Sequence, residues 1–425
     1  MTEEQRQLGR RNFLKAVATL PPTAALAWHA GSLRPVRAGL IGPGLQGRVL
    51  LENAPPHALR IVAVADIFPP NLQKGLDLAR RLHDPEATGY GDYRQLLARP
   101  DIEAVVVAVP LWVHAPVVMD AIAAGKHVLV EKMMAYTADE CTQMIDAARR
   151  AGVNLQVGHQ RAYNPLYHEA RALVRSGAIG DVHHVRAVWH RNGDWRRPVP
   201  PEPFDARPFG YPDLEHYVNW RLYAKYSKGL LSELCCHQIH AVNWFLDAAP
   251  TSVMGTGGIH RYNDGRELND HDYAIFEYPN RVTLSYSSIQ SNAFDHYYEE
   301  FMGTKGTVVL TGEREALLFM EGQGTASTQI SVTPATSEPL LEASESRSRD
   351  AAGSSAIGRS SGSQDALAPY RIQLEGFART IRNGDPNLCD GEAGFRAALP
   401  IVKAREAIGS RTRVDIPWHA APSRT

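Results

Sequence analysis

The chain has 425 residues, enough for two domains with length left for tails. A hydrophobic fraction of 44% beside 21% charged residues fits an ordinary globular protein, and a formal net charge of -1 argues against a nucleic-acid partner, which leaves a basic excess. No apolar run is long enough to span a bilayer, and Cys141, Cys235, Cys236 and Cys389 form neither a disulfide framework nor a metal-knuckle spacing, so they read as small buried hydrophobes.

The N-terminus reads Gly9-Arg10-Arg11-Asn12-Phe13-Leu14-Lys15, followed by an alanine-rich stretch broken by Pro21-Pro22. This resembles a twin-arginine export signal, with Ala25-Leu26-Ala27 as a cleavage site, and the expected location is periplasmic or exported. The alternative is a cytoplasmic protein with a frayed basic N-terminus. The route has a rationale, because a protein that acquires a nucleotide in the cytoplasm must leave folded.

Val36–Ile41 is a short buried strand that ends in Gly42-Pro43-Gly44-Leu45-Gln46-Gly47, a G-x-G-x-x-G turn. Gly42 allows the sharp turn, Gly44 lets backbone approach a pyrophosphate, and Gly47 lets the next helix pack close. Leu59–Asp66 is a second strand ending in an acid. Asp66 lies about 20 residues past the glycines, where a carboxylate holds a ribose 2′-OH and repels a 2′-phosphate. NAD is therefore the expected cofactor over NADP, with Gly42, Gly44, Leu45, Gln46, Gly47, Asp66 and Ile67 around it.

Helix signals follow over Ile67–His83 and Tyr93–Ala98. Strands are expected at Ile102–Val109, His127–Val130 and Val153–Val157, with a helix over His114–Ala124 and another from its cap Thr137 to about Arg150. This alternation over 36–158 predicts a doubly wound parallel sheet. Past Gly158 the pattern changes to helices at Asn164–Ser176 and Leu230–Leu246, a strand at Val182–His190, and strands at Ser252–Gly258, Asp272–Tyr278, Val282–Ser288, Tyr298–Gly303, Thr307–Thr311 and Ala316–Phe319. Helices return at Tyr370–Asn383 and Ala393–Gly409, with a closing strand at Arg413–Ile416. The expected fold class is α/β: an N-terminal Rossmann doubly wound parallel sheet, then an α+β domain with an open, mostly antiparallel sheet. The expected divisions are 1–35 (signal and linker), 36–158 (NAD-binding), 159–418 (substrate and oligomerisation) and 419–425 (tail), with 321–369 a poorly ordered insertion. The segments Gln7–Pro35 and His419–Thr425 are expected outside the core.

The motifs GPGLQG at Gly42–Gly47, AVADI at Ala63–Ile67, YRQLLARPDIEAVVVAVP at Tyr93–Pro110, AGKHVLVEK at Ala124–Lys132, GHQRAYNP at Gly158–Pro165 and GLLSELCCHQIH at Gly229–His240 together resemble the Gfo/Idh/MocA oxidoreductase family. The resemblance covers about Val36–Gly312 and resumes over Tyr370–Pro417. It implies a Rossmann domain paired with a second domain whose sheet covers the nicotinamide. The family's Glu-Lys-Pro stands here as Glu131-Lys132-Met133, so Lys132 is implied as the catalytic lysine that steadies a developing alkoxide. Loss of the proline bears on how the turn aims that lysine. The family's Asp-x-x-x-His stands as Glu233 to His237, four residues apart on one helical face. It implies His237 as acid/base and Glu233 as its orienting group.

Pro110, Trp112, His114, Glu131 and Lys132 itself are implied at the cofactor, and Gln160, Arg161, Tyr163 and His240 at the substrate. In the loop His190–Trp220, Trp195, Tyr217 and Trp220 are flat surfaces suited to stacking on sugar rings, and Arg191, Asn192, Arg196, Arg197 and Arg221 suit hydroxyls or carboxylates. A helical metal cluster of Glu233, His237 and His240 is an open alternative, but no metal is expected. The resemblance implies an NAD-dependent oxidoreductase acting on a secondary hydroxyl of a sugar, polyol or glycoside. A redox-neutral, NAD-dependent glycoside hydrolase acting through a 3-keto intermediate is the alternative, and a non-catalytic nucleotide sensor a third reading. A homo-oligomer, dimer or tetramer, is expected from the open sheet face.

Overall fold

The computed structural model describes residues 3–19, 34–322 and 367–418. The first sheet is built from near-continuous apolar runs, as strands buried on both faces require. It has six parallel strands: β1 (Val36–Ile41), β2 (Leu59–Ala65), β3 (Thr88–Tyr90), β4 (Ala104–Val107), β5 (His127–Val130) and β6 (Leu155–Val157), in the order β3-β2-β1-β4-β5-β6. The order reverses between β1 and β4, which opens a crevice at their carboxyl ends. Edge strand β3 has no apolar pattern in the sequence and only its pairing to β2 reveals it.

Helices α2 (Leu45–Asn53), α3 (Pro69–Leu82), α4 (Tyr93–Leu97), α5 (His114–Ala123) and α6 (Ala138–Ala151) connect these strands. The bounds of α6 follow from local chemistry. Thr137 and Glu140 form a reciprocal capping box, and Gly152 closes the helix at φ +66°.

The second sheet has eight strands. In chain order they are β7 (Val182–His190), β8 (Ser252–Gly258), β9 (His271–Glu277), β10 (Thr283–Ile289), β11 (Tyr297–Gly303), β12 (Gly306–Thr311), β13 (Glu315–Met320) and β14 (Val414–Asp415). They lie in the order β13-β12-β11-β7-β10-β9-β8-β14, and only β7 and β10 run parallel. One face is covered by α7 (Pro165–Arg175), α9 (Cys236–Leu246) and α11 (Gly391–Ser410). The opposite face leaves Met254, Tyr273 and Ile275 exposed. A short helix α8 (Leu214–Val218) lies in the long loop between β7 and α9.

Three expectations are corrected. The N-terminal segment is not outside the core: α1 (Glu3–Ala18) lies on β13, with Phe13 only 2% exposed and Arg6 Nε 2.6 Å from Glu315 Oε2. Nothing in this mostly polar stretch announces that docking. Helix α10 (Ala368–Asn383) follows the second domain in sequence but sends Tyr370, Leu374, Phe377 and Ala378 into the first domain's core. It begins at Ala368, inside the stretch expected as an insertion. Residues 323–366 of that stretch, Pro21-Pro22, Ala25-Leu26-Ala27 and the 419–425 tail lie outside the described residues.

Candidate active site

At the carboxyl end of β1 the glycines are required by space. Gly42 sits at φ +90°, and a Cβ there would approach Ala108 O to 2.6 Å. At Gly47 a Cβ would come within 2.1 Å of Gly42 O, so only glycine lets α2 start so close to the turn. At Gly44 a Cβ would meet nothing within 4 Å, which leaves the backbone open to a ligand. No side chain caps the N-terminus of α2, so its first N–H groups are available to an anion. This cradle fits a dinucleotide pyrophosphate. Gln46 does not reach into it: its Nε2 donates to Glu131 Oε1 at 3.0 Å.

Asp66 follows β2, as the motif requires. Its Oδ1 accepts from Phe68 N–H at 2.8 Å and from the Tyr217 hydroxyl at 3.3 Å. Burial pushes its carboxyl up to about 6, against those hydrogen bonds. Tyr217, expected to stack on a sugar, is thus at the ribose carboxylate instead, between Phe68, Phe204 and Tyr211.

Lys132 is half-buried at the end of β5, and its Nζ donates to the backbone oxygen of Glu233 at 2.9 Å. The Lys132–Met133 peptide is cis. Glu131 is buried, with Oε2 accepting from Lys132 N–H at 3.0 Å, and burial raises its carboxyl. His114, implied at the cofactor, has neither ring nitrogen free. Nδ1 faces Met133 O at 3.0 Å and Nε2 faces Val109 O at 2.9 Å. It is a strut that ties the lysine loop to the end of β4.

Glu233 and His237 stand on a continuous helical stretch, but a π-turn over Leu231–Cys235 precedes α9. Such turns are frequent at functional sites. The Glu233 carboxylate does not hold His237. It accepts from Arg221 Nε at 3.0 Å and from Ser227 at 3.2 Å. Burial works against its charge, and Arg221 and Lys132 outweigh burial, so Glu233 stays ionised. His237 is buried beside Trp189 and His159, with ring centroids 5.8 and 6.0 Å away. Burial first, then the charges of Lys132 and Arg161, hold it well below its ordinary pKa. These hold it as the neutral imidazole.

His240 does not join a metal cluster. Its ring stacks on His159 at 4.3 Å and its Nε2 lies 3.5 Å from Cys389 Sγ. Among the described residues, the ligand-type atoms that converge belong to Asp213, Glu215 and His216 at the surface, not to Glu233, His237 and His240.

The remaining implied substrate residues divide. Arg161, 1% exposed, is a structural strut: its guanidinium lies 2.5 Å from Glu299 Oε1 and 2.6 Å from Glu313 Oε1. Burial opposes its charge, but Glu299 and Glu313 hold its pKa well above the ordinary value. Gln160 is buried, with Nε2 3.5 Å from Glu313. Tyr163 is a core aromatic. Trp195 and Trp220 are half-buried and carry guanidinium groups on their rings, Arg191 at 4.9 Å and Arg221 at 4.4 Å. Two groups at the site, His159 and Cys389, were given no role by the sequence reading, and a third, Arg221, was given a different one. His159 had a signal, a histidine at a strand end after Gly158. Arg221 was read as suited to hydroxyls or carboxylates, and the carboxylate it holds is that of Glu233. Cys389 had none, because 149 residues separate it from His240.

A phosphate cradle, a ribose carboxylate, and a lysine and neutral histidine from two domains define a two-domain dinucleotide-dependent oxidoreductase. Residues 36–159 match the model of the oxidoreductase family with NAD-binding Rossmann fold, and 167–309 match the family's C-terminal domain. The chain belongs to the Gfo/Idh/MocA oxidoreductase family. It is 28% identical to an inositol 2-dehydrogenase of Acidothermus cellulolyticus over 302 residues, 68% of this chain and 77% of that one. It is 28% identical to a glycosyl hydrolase family 109 protein of Shewanella baltica over 227 residues, 44% of this chain and 50% of that one. A levoglucosan dehydrogenase solved with NADH and levoglucosan shares the fold, at TM-score 0.67 and 20% identity over 90% of this chain and all of that one.

Proposed function

We propose that this protein oxidises or reduces a secondary hydroxyl of a sugar, polyol or glycoside by hydride transfer. NAD bound at the glycine turn supplies the hydride acceptor. Lys132 hydrogen-bonds the reacting oxygen and offsets its growing negative charge, and neutral His237 takes the proton. Arg221 keeps Glu233 ionised, and the Glu233 backbone oxygen aims the Lys132 ammonium. The observation that carries this reading is the 2.9 Å bond from Lys132 Nζ to Glu233 O, which joins the lysine of one domain to the helix that bears His237. The inositol and levoglucosan dehydrogenases favour a cyclic polyol or sugar as substrate. The experiment is reduced-nicotinamide absorbance of the purified protein with NAD across sugars, polyols and glycosides, with free sugar assayed in parallel. NADH accumulating with one compound supports the reading.

The family 109 glycosyl hydrolase relative favours a second reading, redox-neutral glycoside cleavage through a 3-keto intermediate. Free sugar released without lasting NADH would move the assignment there.

Self-association is part of the proposal, supported by exposed Met254, Tyr273 and Ile275 on one sheet face. A monomer by light scattering would remove it. Export by the twin-arginine route is also proposed, on Arg10-Arg11 ahead of Phe13-Leu14-Lys15. Because Phe13 is buried against the body of the protein, presenting that segment requires α1 to lift from β13. Cell fractionation of the protein with and without Arg10→Lys and Arg11→Lys tests it.

A further inference from the structure

The glycine turn at the end of β1 lies between two loops of the first domain. One follows β2 and carries Asp66 and Phe68, and the other follows β4 and carries Trp112. The same stretch of the second domain, residues 204–226, is fastened to both. On the β2 side, Tyr217 donates to Asp66, and the Phe68 ring lies 5.2 Å from Phe204 and 5.7 Å from Tyr217. On the β4 side, Trp112 Nε1 donates to the Tyr211 hydroxyl at 2.8 Å, and its ring lies 5.4 Å from Tyr226. Gly210, at φ +86°, permits that approach, since a Cβ there would meet Trp112 at 2.5 Å. Tyr211 links the two sides, 5.2 Å from Tyr217 and 4.7 Å from Tyr226.

The stretch is also held at its base. Asn219 accepts from Arg197 N–H at 2.7 Å and donates to Arg197 O at 3.1 Å, while Arg196 pairs with Glu215 and with Asp264. It therefore bridges the crevice where the strand order reverses, which is where a doubly wound sheet takes its nucleotide.

We propose that residues 204–226 are a cofactor strap. Tyr217 stands in for the ribose hydroxyl on Asp66 in the free protein, and with Phe204 it covers the adenosine half of bound NAD, so the nucleotide leaves slowly. The proposal rests on the NAD-dependent reading above. A phenol and a ribose hydroxyl are the same kind of donor to a carboxylate, so on this proposal nucleotide entry displaces Tyr217 from Asp66. Exit must part the aromatic contacts. Slow exit suits chemistry in which the hydride is given back to a carbonyl carbon before the nucleotide departs.

The test is nucleotide retention and exchange, independent of turnover. Full-length protein is loaded with NAD and desalted, NAD per chain is counted, and binding and release are followed by tryptophan fluorescence. Wild type is expected to keep NAD through desalting. Tyr217→Ala and Phe204→Ala should each release it about tenfold faster, the loss of one well-placed aromatic contact. Tyr217→Phe keeps the ring and loses the competing hydroxyl, so association should quicken while release stays near wild type. Phe294→Ala, at an exposed site, should behave as wild type. Release from folded Tyr217→Ala and Phe204→Ala at the wild-type rate overturns the strap and leaves the proposed function standing. If the alanine variants do not fold, an unchanged association rate in Tyr217→Phe overturns it. Failure of wild type to bind NAD at all overturns both the strap and the reading beneath it.

Discussion

Lys132 Nζ donates to the backbone oxygen of Glu233 across 2.9 Å, from the end of β5 in one domain to the π-turn of the other. The lysine is thereby aimed by main chain rather than by the Glu233 carboxylate, which is committed to Arg221. A backbone acceptor survives any side-chain change at that position, so the lysine's aim is tied to domain packing itself.

Lys132→Ala should lower the rate of hydride transfer by about 10²- to 10⁴-fold, the usual worth of a positioned proton donor. NAD binding should be nearly unchanged, since the glycine turn and Asp66 are untouched. Single-turnover kinetics beside a fluorescence titration separates the two. Equal loss in both would place Lys132 at the cofactor only.

His237 is held well below its ordinary pKa. Oxidation with His237 as base requires the neutral imidazole, and the neutral form persists on the acid side of about pH 6.5, the unperturbed value. The acid limb of kcat for oxidation should therefore fall below that pH. His237→Gln should abolish the limb and lower kcat. An acid limb at or above the ordinary histidine value would count against this role.

Asp66 has its carboxyl raised to about 6. Its ionised form accepts the ribose hydroxyl, and a proton must leave before it does so. NAD affinity should thus weaken as pH falls through 6, by about tenfold at pH 5 relative to pH 7.5. Asp66→Asn should flatten that dependence and narrow the preference against NADP. Calorimetric titration across pH checks both.

Gly44→Ala and Gly47→Ala should fail differently. The added methyl at Gly44 meets open space, so melting should be unchanged while NAD binding weakens. At Gly47 it meets Gly42 O at 2.1 Å, so the turn must move and the melting temperature should fall. Equal thermal stability of the two variants would contradict the geometry.

Arg161 and Glu299 form a buried pair with a third contact to Tyr167, 2.8 Å from Glu299. Arg161→Met leaves the buried Glu299 without its cation and should cost ~3–5 kcal/mol by denaturant unfolding, whereas Glu299→Gln should cost less, since Arg161 keeps Glu313. A substrate role for Arg161 would instead appear as a raised KM with stability intact.

Much of the first domain was legible in the sequence because its signals are local. A buried parallel strand is a continuous apolar run, a phosphate cradle is three glycines at fixed spacing, and α6 is bounded by Thr137, Glu140 and Gly152, all within one stretch of chain. Lys132 and His237 were legible as members of motifs. What the residues around them do was not. His114 became a strut because Val109 and Met133 face its two nitrogens. Glu233 turned to Arg221 rather than to His237. Arg161 went into an ion pair with Glu299, 138 residues away.

The amino-acid order by itself determined the α/β class and the nucleotide turn, which depend on periodicity or spacing over a few residues, where backbone geometry leaves little choice. Lys132 and His237 were singled out by family resemblance, and their proposed roles are what the variants above test. Tertiary structure alone decided that α1 docks on β13, that α10 returns to the first core, and that Tyr217 reaches Asp66 from 151 residues away. Those contacts join elements with no shared period, so their partners are set by which surfaces remain to be buried once the two sheets have formed.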